Sequence, residues 1–256
     1  MDIKGKTAIV TGGASGLGEA AVRRLSSLGA KIAIFDMNQT RGAELEKKLG
    51  GKTRYFAVNV TDENSVQMAI DGTMKAFGAI HILCNFAGII EPTKTLTKTG
   101  PIELDKFVKT VNVNLIGTFN VLRLAAYEMA KHEPVTDCGC RGVIINTSSI
   151  AAYEGQVGQA AYSASKGGIL GMTLPIARDL ERNGIRVNAL VPGIIHTPMF
   201  DSLGEEVYDS LSKTVLFPKR LGRPDEVAHL VQFLIENDYI NGEAVRLDGG
   251  IRMQPR

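Results

Sequence analysis

The chain has 256 residues, 44% of them hydrophobic and 22% charged, which supplies a buried core for one large α/β domain or two small ones. Lys plus Arg number 29 against 27 for Asp plus Glu, and a net charge of +2 spread along the chain leaves no basic footprint for nucleic acid or an anionic membrane. The longest mostly apolar stretch, 76–90, contains His81 and Asn85 and is too short to span a bilayer.

Residues 1–6 run straight into an apolar strand pattern, so neither a signal nor a transit peptide is expected. Cys84, Cys138 and Cys140 are an odd, sparse set that argues against a disulfide framework and for a reducing compartment. Cys138-Gly139-Cys140 has no second pair or suitably spaced His to complete a metal site, so no metal is expected. The expected location is cytoplasmic, or the mitochondrial matrix if the source is eukaryotic.

Strand patterns alternate with helix patterns along the chain. Residues 7–11 read as the first strand, followed by a glycine turn and a helix over 17–28 that stops at Gly29. Strands follow at 31–35 and about 54–58. A helix over 62–77 takes Thr61 or Asp62 as N-cap, and a fourth strand covers 80–85. The spacing then predicts a long helix over 102–131, a strand at 142–146, a helical region over about 157–183, and strands at 184–190 and 243–247. Near-continuous apolar strands separated by helices predict a single-domain, doubly wound parallel β-sheet of Rossmann type, with helices on both faces. Residues 192–224, rich in Gly, Pro, Ser and Met, break the rhythm at the carboxyl end of a strand and are expected to form a substrate lid.

The string Thr11-Gly12-Gly13-Ala14-Ser15-Gly16-Leu17-Gly18 lies between the first strand and the first helix. Glycines serve there for a tight turn, for close approach to a pyrophosphate and for helix–strand packing, while the helix N-terminus offers N–H donors to phosphate. Asp36 ends the second strand, where a carboxylate can accept both adenosine ribose hydroxyls and repel a 2′-phosphate. A helix N-cap is the competing role for Asp36. No Lys or Arg lies inside the turn, and Arg41 is expected on the solvated face of the next helix, so NAD is favoured over NADP.

Tyr162 and Lys166 stand four residues apart, on one helix face. Composition alone yields about 0.35 such pairs, and the chain holds a second one, Tyr127 and Lys131. Context separates them: Ser149 lies thirteen residues before Tyr162 and just after an apolar strand, whereas Asn114 precedes Tyr127 inside the same predicted helix. Oxidising an alcohol with a nicotinamide requires a base for the hydroxyl proton. Lowering a phenol pKa from about 10 to 7 needs about 4 kcal/mol, which nearby positive charges in a water-poor site can supply.

Together these motifs resemble the short-chain dehydrogenase/reductase family: the glycine turn, Asn85-Phe86-Ala87-Gly88, Asn114, Ser149, Tyr162, Lys166 and Pro192-Gly193, in family order over nearly the whole chain. The resemblance implies Tyr162 as acid/base and Lys166 lowering its pKa while holding the nicotinamide ribose. Ser149, with Tyr162, would position the substrate oxygen, and Asn114 would anchor a water linking Lys166 to solvent. It also implies cofactor contacts from Gly12, Ser15, Gly16, Leu17, Gly18, Asp36, Asn59, Val60, Asn85, Phe86, Ala87, Gly88, Pro192, Gly193, Ile195 and Thr197. Two positions depart from the pattern. Phe86 replaces the usual second Asn, and Asn59 stands where many members carry Asp toward the adenine amino group, its amide oxygen still able to accept a hydrogen bond.

Longer strings, over 141–147, 154–162, 171–180 and the ending 241–255, are similar to the type-2 3-hydroxyacyl-CoA dehydrogenase group. That resemblance implies an NAD-dependent enzyme interconverting 3-hydroxyacyl-CoA and 3-oxoacyl-CoA. It also implies a homotetramer with the helices of Asn114 and Tyr162 between subunits. The alternatives are a 3-oxoacyl-(acyl carrier protein) reductase, a hydroxysteroid or other secondary-alcohol dehydrogenase, and a non-enzymatic scaffold subunit of an RNA-processing complex. Neither nucleic acid nor membrane is expected as a direct partner.

Overall fold

A computed structural model describes residues 1–197 and 205–255. Its first half runs β1 (Thr7–Thr11), α1 (Gly16–Ser27), β2 (Lys31–Asp36), α2 (Gln39–Leu49), β3 (Thr53–Ala57), α3 (Glu63–Phe77) and β4 (Ile82–Asn85). A two-stranded hairpin, β5 (Leu96–Thr97) and β6 (Gly100–Pro101), leads into α4 (Leu104–Val111) and α5 (Gly117–Met129). The rest comprises β7 (Gly142–Thr147), α6 (Ala160–Asp179), β8 (Ile185–Pro192), α7 (Glu205–Thr214), α8 (Pro224–Glu236) and β9 (Ala244–Leu247).

Seven of these strands form one parallel sheet in the order β3-β2-β1-β4-β7-β8-β9. Parallel neighbours need crossover connections, and helices supply them. The chain winds outward from β1 to β3 and then returns to place β4 on the other side of β1. The loops leaving β1 and β4 therefore diverge and open a crevice at the carboxyl ends of the strands.

Side chains alternate across the central strands. Val10, Ile34, Cys84 and Ile145 face a core shared with α1 and α8, while Ile9, Phe35, Leu83 and Ile144 face the core of α3, α5 and α6. All eight are fully or almost fully buried, each worth about 1.5–3 kcal/mol of apolar transfer for the larger ones. Asp62 caps α3 by accepting from the backbone N of Asn64 and Ser65, and Gly78 ends it in the left-handed region.

Several elements differ from the sequence reading. The long helix expected over 102–131 is α4 and α5 joined by a π-helical turn, Asn112–Ile116, with buried Asn114 inside it. The helix expected from 157 begins at Ala160, because residues 155–159 form a loop bearing Gly155 and Gly158. Helix α8 was not anticipated, although Pro224 at its first position and Asp225 and Glu226 in its first turn are a start signal. The interval 192–224, read as a lid, contains α7, and its stretch 198–204 lies outside the described residues. Among the described residues, no helix is long and apolar enough to cross a membrane.

Candidate active site

The glycine turn is shaped by contacts that exclude side chains. Gly12 and Gly16 have φ of +62° and +53°. A Cβ on Gly12 would stand 2.9 Å from the Ala87 backbone N, and one on Gly18 would stand 2.1 Å from the Gly12 carbonyl oxygen. The first turn of α1 is entered at Ser15 with no side-chain cap, so its N–H groups and the positive end of the helix face the crevice. An uncapped helix N-terminus behind so close a backbone turn has the donor set that suits a pyrophosphate.

Asp36 is fixed across the turn: its carboxylate accepts from Ala14 N at 3.0 Å and from Asn38 N at 2.8 Å. The N-cap of α2 is Asn38, which accepts from Arg41 N, so the capping role considered for Asp36 falls to its neighbour. Tyr55 donates to the Asp36 carbonyl oxygen at 2.8 Å. Arg41 is exposed on α2, as expected, but it also lines a cavity of about 250 Å³ with Ser15, Gly16, Arg23 and Lys48. Val58 N donates to the Asp36 carbonyl oxygen, bringing the end of β3 alongside. Beyond it, the Asn59 amide oxygen accepts from the Thr61 N and Oγ1. Val60 is buried and receives Gly117 against its side chain.

The other side of the crevice begins with Thr11. Its Oγ1 accepts from Phe86 N and Ala87 N, both at 3.1 Å, and reaches the Asn85 amide oxygen at 3.3 Å. Asn85 donates in turn to Asn146 on β7 at 2.9 Å. Thr11, absent from the expected contacts, thus ties the β1 and β4 loops together. At the end of β8, Gly193 packs so tightly on Asp248 that a Cβ would approach its Cα to 2.7 Å. Farther along, Ile195 pairs with Gly222, and the Thr197 methyl lies 3.8 Å from where a Gly16 Cβ would be. The Pro192–Thr197 segment therefore runs back over the glycine turn.

Ser149, Tyr162 and Lys166 converge beside this crevice. Ser149 leaves β7 as the cap of a short turn, Ile150–Ala152, its Oγ accepting from Ala151 N at 3.1 Å. Tyr162 and Lys166 share a face of α6, and the Lys166 Nζ lies 5.7 Å from the centroid of the Tyr162 ring. Burial pushes the Tyr162 phenol above its ordinary value, while its hydrogen bond with the Ser149 side chain pulls it down. Burial draws Lys166 down to about 8, which leaves it mostly ammonium at neutral pH. Its Nζ donates to the Thr147 carbonyl oxygen at 2.7 Å.

Asn114 reaches the same place through its π turn. Its amide accepts from Ile89 N at 2.8 Å, donates to Ile89 O at 2.9 Å and donates to Ser165 Oγ at 3.1 Å. A Cβ on Gly88 would sit 3.2 Å from Asn114 Oδ1 and 3.7 Å from Lys166 Nζ, so these three residues meet. Ser165, overlooked in the sequence, lies inside the Tyr162–Lys166 interval and bonds back to Tyr162 O. The rival pair is different in kind. Tyr127 is 66% exposed, and Lys131 lies 4.0 Å over its ring while pairing with Glu128.

A phenol, a serine hydroxyl and a buried ammonium beside a phosphate cradle can exchange a proton with a carbonyl or alcohol oxygen next to a bound nucleotide. Comparisons with known proteins agree with this geometry. The family model described as enoyl-(acyl carrier protein) reductase matches residues 12–252. The 3-hydroxyacyl-CoA dehydrogenase type-2 of Bos taurus is 52% identical over 255 residues, covering 99% of this chain and 97% of that protein. The 3-oxoacyl-[acyl-carrier-protein] reductase of Thermotoga maritima is 34% identical over 257 residues, covering 98% of this chain and 99% of that protein. The crystal structure of 3-hydroxyacyl-CoA dehydrogenase type-2 from Mycobacterium avium superposes with a TM-score of 0.95 at 43% identity, covering 98% of both chains.

Proposed function

Because the chain belongs to the short-chain dehydrogenase/reductase family, we propose that this oxidoreductase interconverts 3-hydroxyacyl-CoA and 3-oxoacyl-CoA with NAD as coenzyme. The observation that carries the reading is the convergence of Ser149, Tyr162 and buried Lys166, whose Nζ lies 5.7 Å from the centroid of the Tyr162 ring. Two hydroxyls converge there, which suits one polar substrate oxygen.

A bound nicotinamide supplies or accepts hydride at the carbon bearing that oxygen. The residues do the rest. Ser149 and Tyr162 hydrogen-bond the substrate oxygen; Tyr162 gives its proton to that oxygen in reduction and removes it in oxidation. Lys166 favours the phenolate by its charge and holds the nicotinamide ribose. Asn114 holds the loop after β4, at Gly88 and Ile89, against α6 and anchors the water through which Lys166 exchanges protons with solvent. Gly12, Gly16 and Gly18 let the backbone approach the pyrophosphate, with Ser15 and Leu17 contributing first-turn N–H groups. Asp36 takes the adenosine ribose hydroxyls, and its charge supports NAD over NADP. Asn59 and Val60 border the adenine, and Pro192, Gly193, Ile195 and Thr197 close over the nicotinamide half.

The wider reading follows the same residues. The chain is one domain, with a substrate lid at about 192–224. It forms a homotetramer through α4, α5 and α6; exposed Leu104 on α4, Ile116 in the π turn and Phe119 on α5 support such a face. It works in the cytoplasm or the mitochondrial matrix.

Reduction of a 3-oxoacyl group on acyl carrier protein is the second reading, supported by the Thermotoga maritima relative. Rates with acetoacetyl-CoA, longer 3-oxoacyl-CoAs, a carrier-protein thioester and a steroid ketone, each with NADH and NADPH, decide between them. Fastest turnover of a CoA ester with NADH is expected. A preference for the carrier-protein thioester with NADPH would transfer the assignment to the second reading.

A further inference from the structure

We propose that Arg246 is a positioning residue that clamps the wall between Ser149 and Tyr162, through Glu154 and the C-terminal tail. The wall is the segment 153–158, and the inference rests on the reading of Ser149 and Tyr162 as the place of proton exchange. Arg246, near the end of β9, is a hub. Its Nη1 and Nη2 bond the two Glu154 oxygens at 3.0 and 3.4 Å, its Nε bonds Asp248 at 2.7 Å, and its Nη2 also donates to Ile251 O. Its guanidinium lies 5.1 Å over the Tyr153 ring.

The tail completes the clamp. Met253 N donates to Glu154 at 3.2 Å, Gln156 Nε2 donates to Gln254 O at 3.0 Å, and Val157 N donates to Pro255 O at 3.1 Å. Opposite the tail, Gly155 is pressed on Ser163, the residue after Tyr162: a Cβ there would meet the Ser163 Oγ at 2.1 Å. The wall is therefore held from outside by the tail and rests on the base of α6. The Glu154 and Asp248 side chains are only 21% and 9% exposed, so these charged bonds are weakened little by solvent. Backbone placement between Ser149 and Tyr162 sets the distance between their hydroxyls, and small displacements of such pairs cost rate steeply.

The test uses the full-length chain and its Arg246→Gln, Arg246→Lys and Glu154→Gln variants, with a fourth variant ending at Ile251. The alcohol oxidised fastest by the intact chain serves as substrate, so an error in the acyl-CoA assignment changes the compound and leaves this test standing. For Arg246→Gln we expect a three- to thirtyfold loss of kcat/KM for the alcohol. We also expect an upward displacement of the acidic limb of the pH profile, along which Tyr162 must lose its proton before it can take one from the alcohol, as Ser149 moves away from the phenol. NADH affinity stays within twofold, and Arg246→Lys falls between the two. If Arg246→Gln does not fold, Glu154→Gln and the shortened chain carry the same expectation. An unchanged pH profile and KM in the folded variants, or NADH affinity falling in step with rate, would overturn the proposal.

Discussion

The Asn114 side chain pairs with the Ile89 backbone as one peptide group pairs with another, Oδ1 accepting from Ile89 N at 2.8 Å and Nδ2 donating to Ile89 O at 2.9 Å. The pairing depends on the π turn that carries Asn114 inward from between α4 and α5, a kind of irregularity common at functional sites. It joins the loop after β4 to α6 through Ser165, and so spans the crevice.

Replacing Asn114 with Leu keeps the branching at Cγ, adds volume and strands the Ile89 N–H and carbonyl. Unpaired buried groups cost about 1–3 kcal/mol each. The unfolding free energy of Asn114→Leu in urea should fall by about 2–4 kcal/mol. A loss below about 1 kcal/mol would mean that the pairing carries little weight.

The proposed preference for NAD rests on Asp36. Its carboxylate is fixed between Ala14 N and Asn38 N, and in the proposed function it faces the adenosine ribose, where it would repel a 2′-phosphate. A preference for NADH of about tenfold to a thousandfold, or about 1.4–4 kcal/mol, is expected in kcat/KM. Asp36→Ala should narrow it, mainly by weakening NADH. Arg41→Ala should leave NADH kinetics unchanged and weaken NADPH further, since Arg41 borders the cavity beside Ser15 and Gly16. Equal kinetics with both coenzymes in the unaltered chain would contradict this.

The parallel sheet was legible because its strands are buried on both faces and read as short apolar runs such as Ala8-Ile9-Val10. The glycine turn and the Ser149–Tyr162–Lys166 set were legible for a different reason: close backbone approach and proton exchange restrict the residue types allowed. What stayed hidden depends on distant partners. Nothing around Asn114 announces a π turn, since the extra residue is stabilised by Ile89 and Ser165, 25 and 51 positions away. The Thr11 link to Phe86 and the Arg246 link to Glu154 are likewise made only by the assembled sheet. The Asn59 amide oxygen is taken up locally by Thr61, a bond that residue types alone do not announce.

Acid should weaken the end of the sheet opposite the crevice. His81 Nδ1 accepts from Thr7 N at 3.2 Å, and its ring stacks 5.7 Å from His132, whose Nε2 accepts from Ile80 N. Burial, then the charges of Lys6, His132 and Lys31, hold His81 down to about 4. The folded chain keeps it neutral while an unfolded His binds a proton near 6.5, so stability is full above 6.5 and is lost as pH falls toward 4. The full displacement would convert to about 3 kcal/mol, which partial exposure reduces to about 1–2. Urea unfolding at pH 7 and pH 4.5 checks this. His81→Gln, which retains an acceptor without titrating, should show a smaller acid loss, and identical losses would refute the assignment.

The most direct measurement is turnover of Tyr162→Phe beside Tyr127→Phe, with NADH affinity read in the same samples. Tyr162→Phe removes only the phenol hydroxyl, so NADH binding should stay within a few fold while turnover falls by at least a thousandfold. Tyr127→Phe, altering an exposed pair with Lys131, should turn over near the unaltered rate. Retention of more than about a tenth of the rate by Tyr162→Phe would contradict the assignment of proton exchange to this phenol.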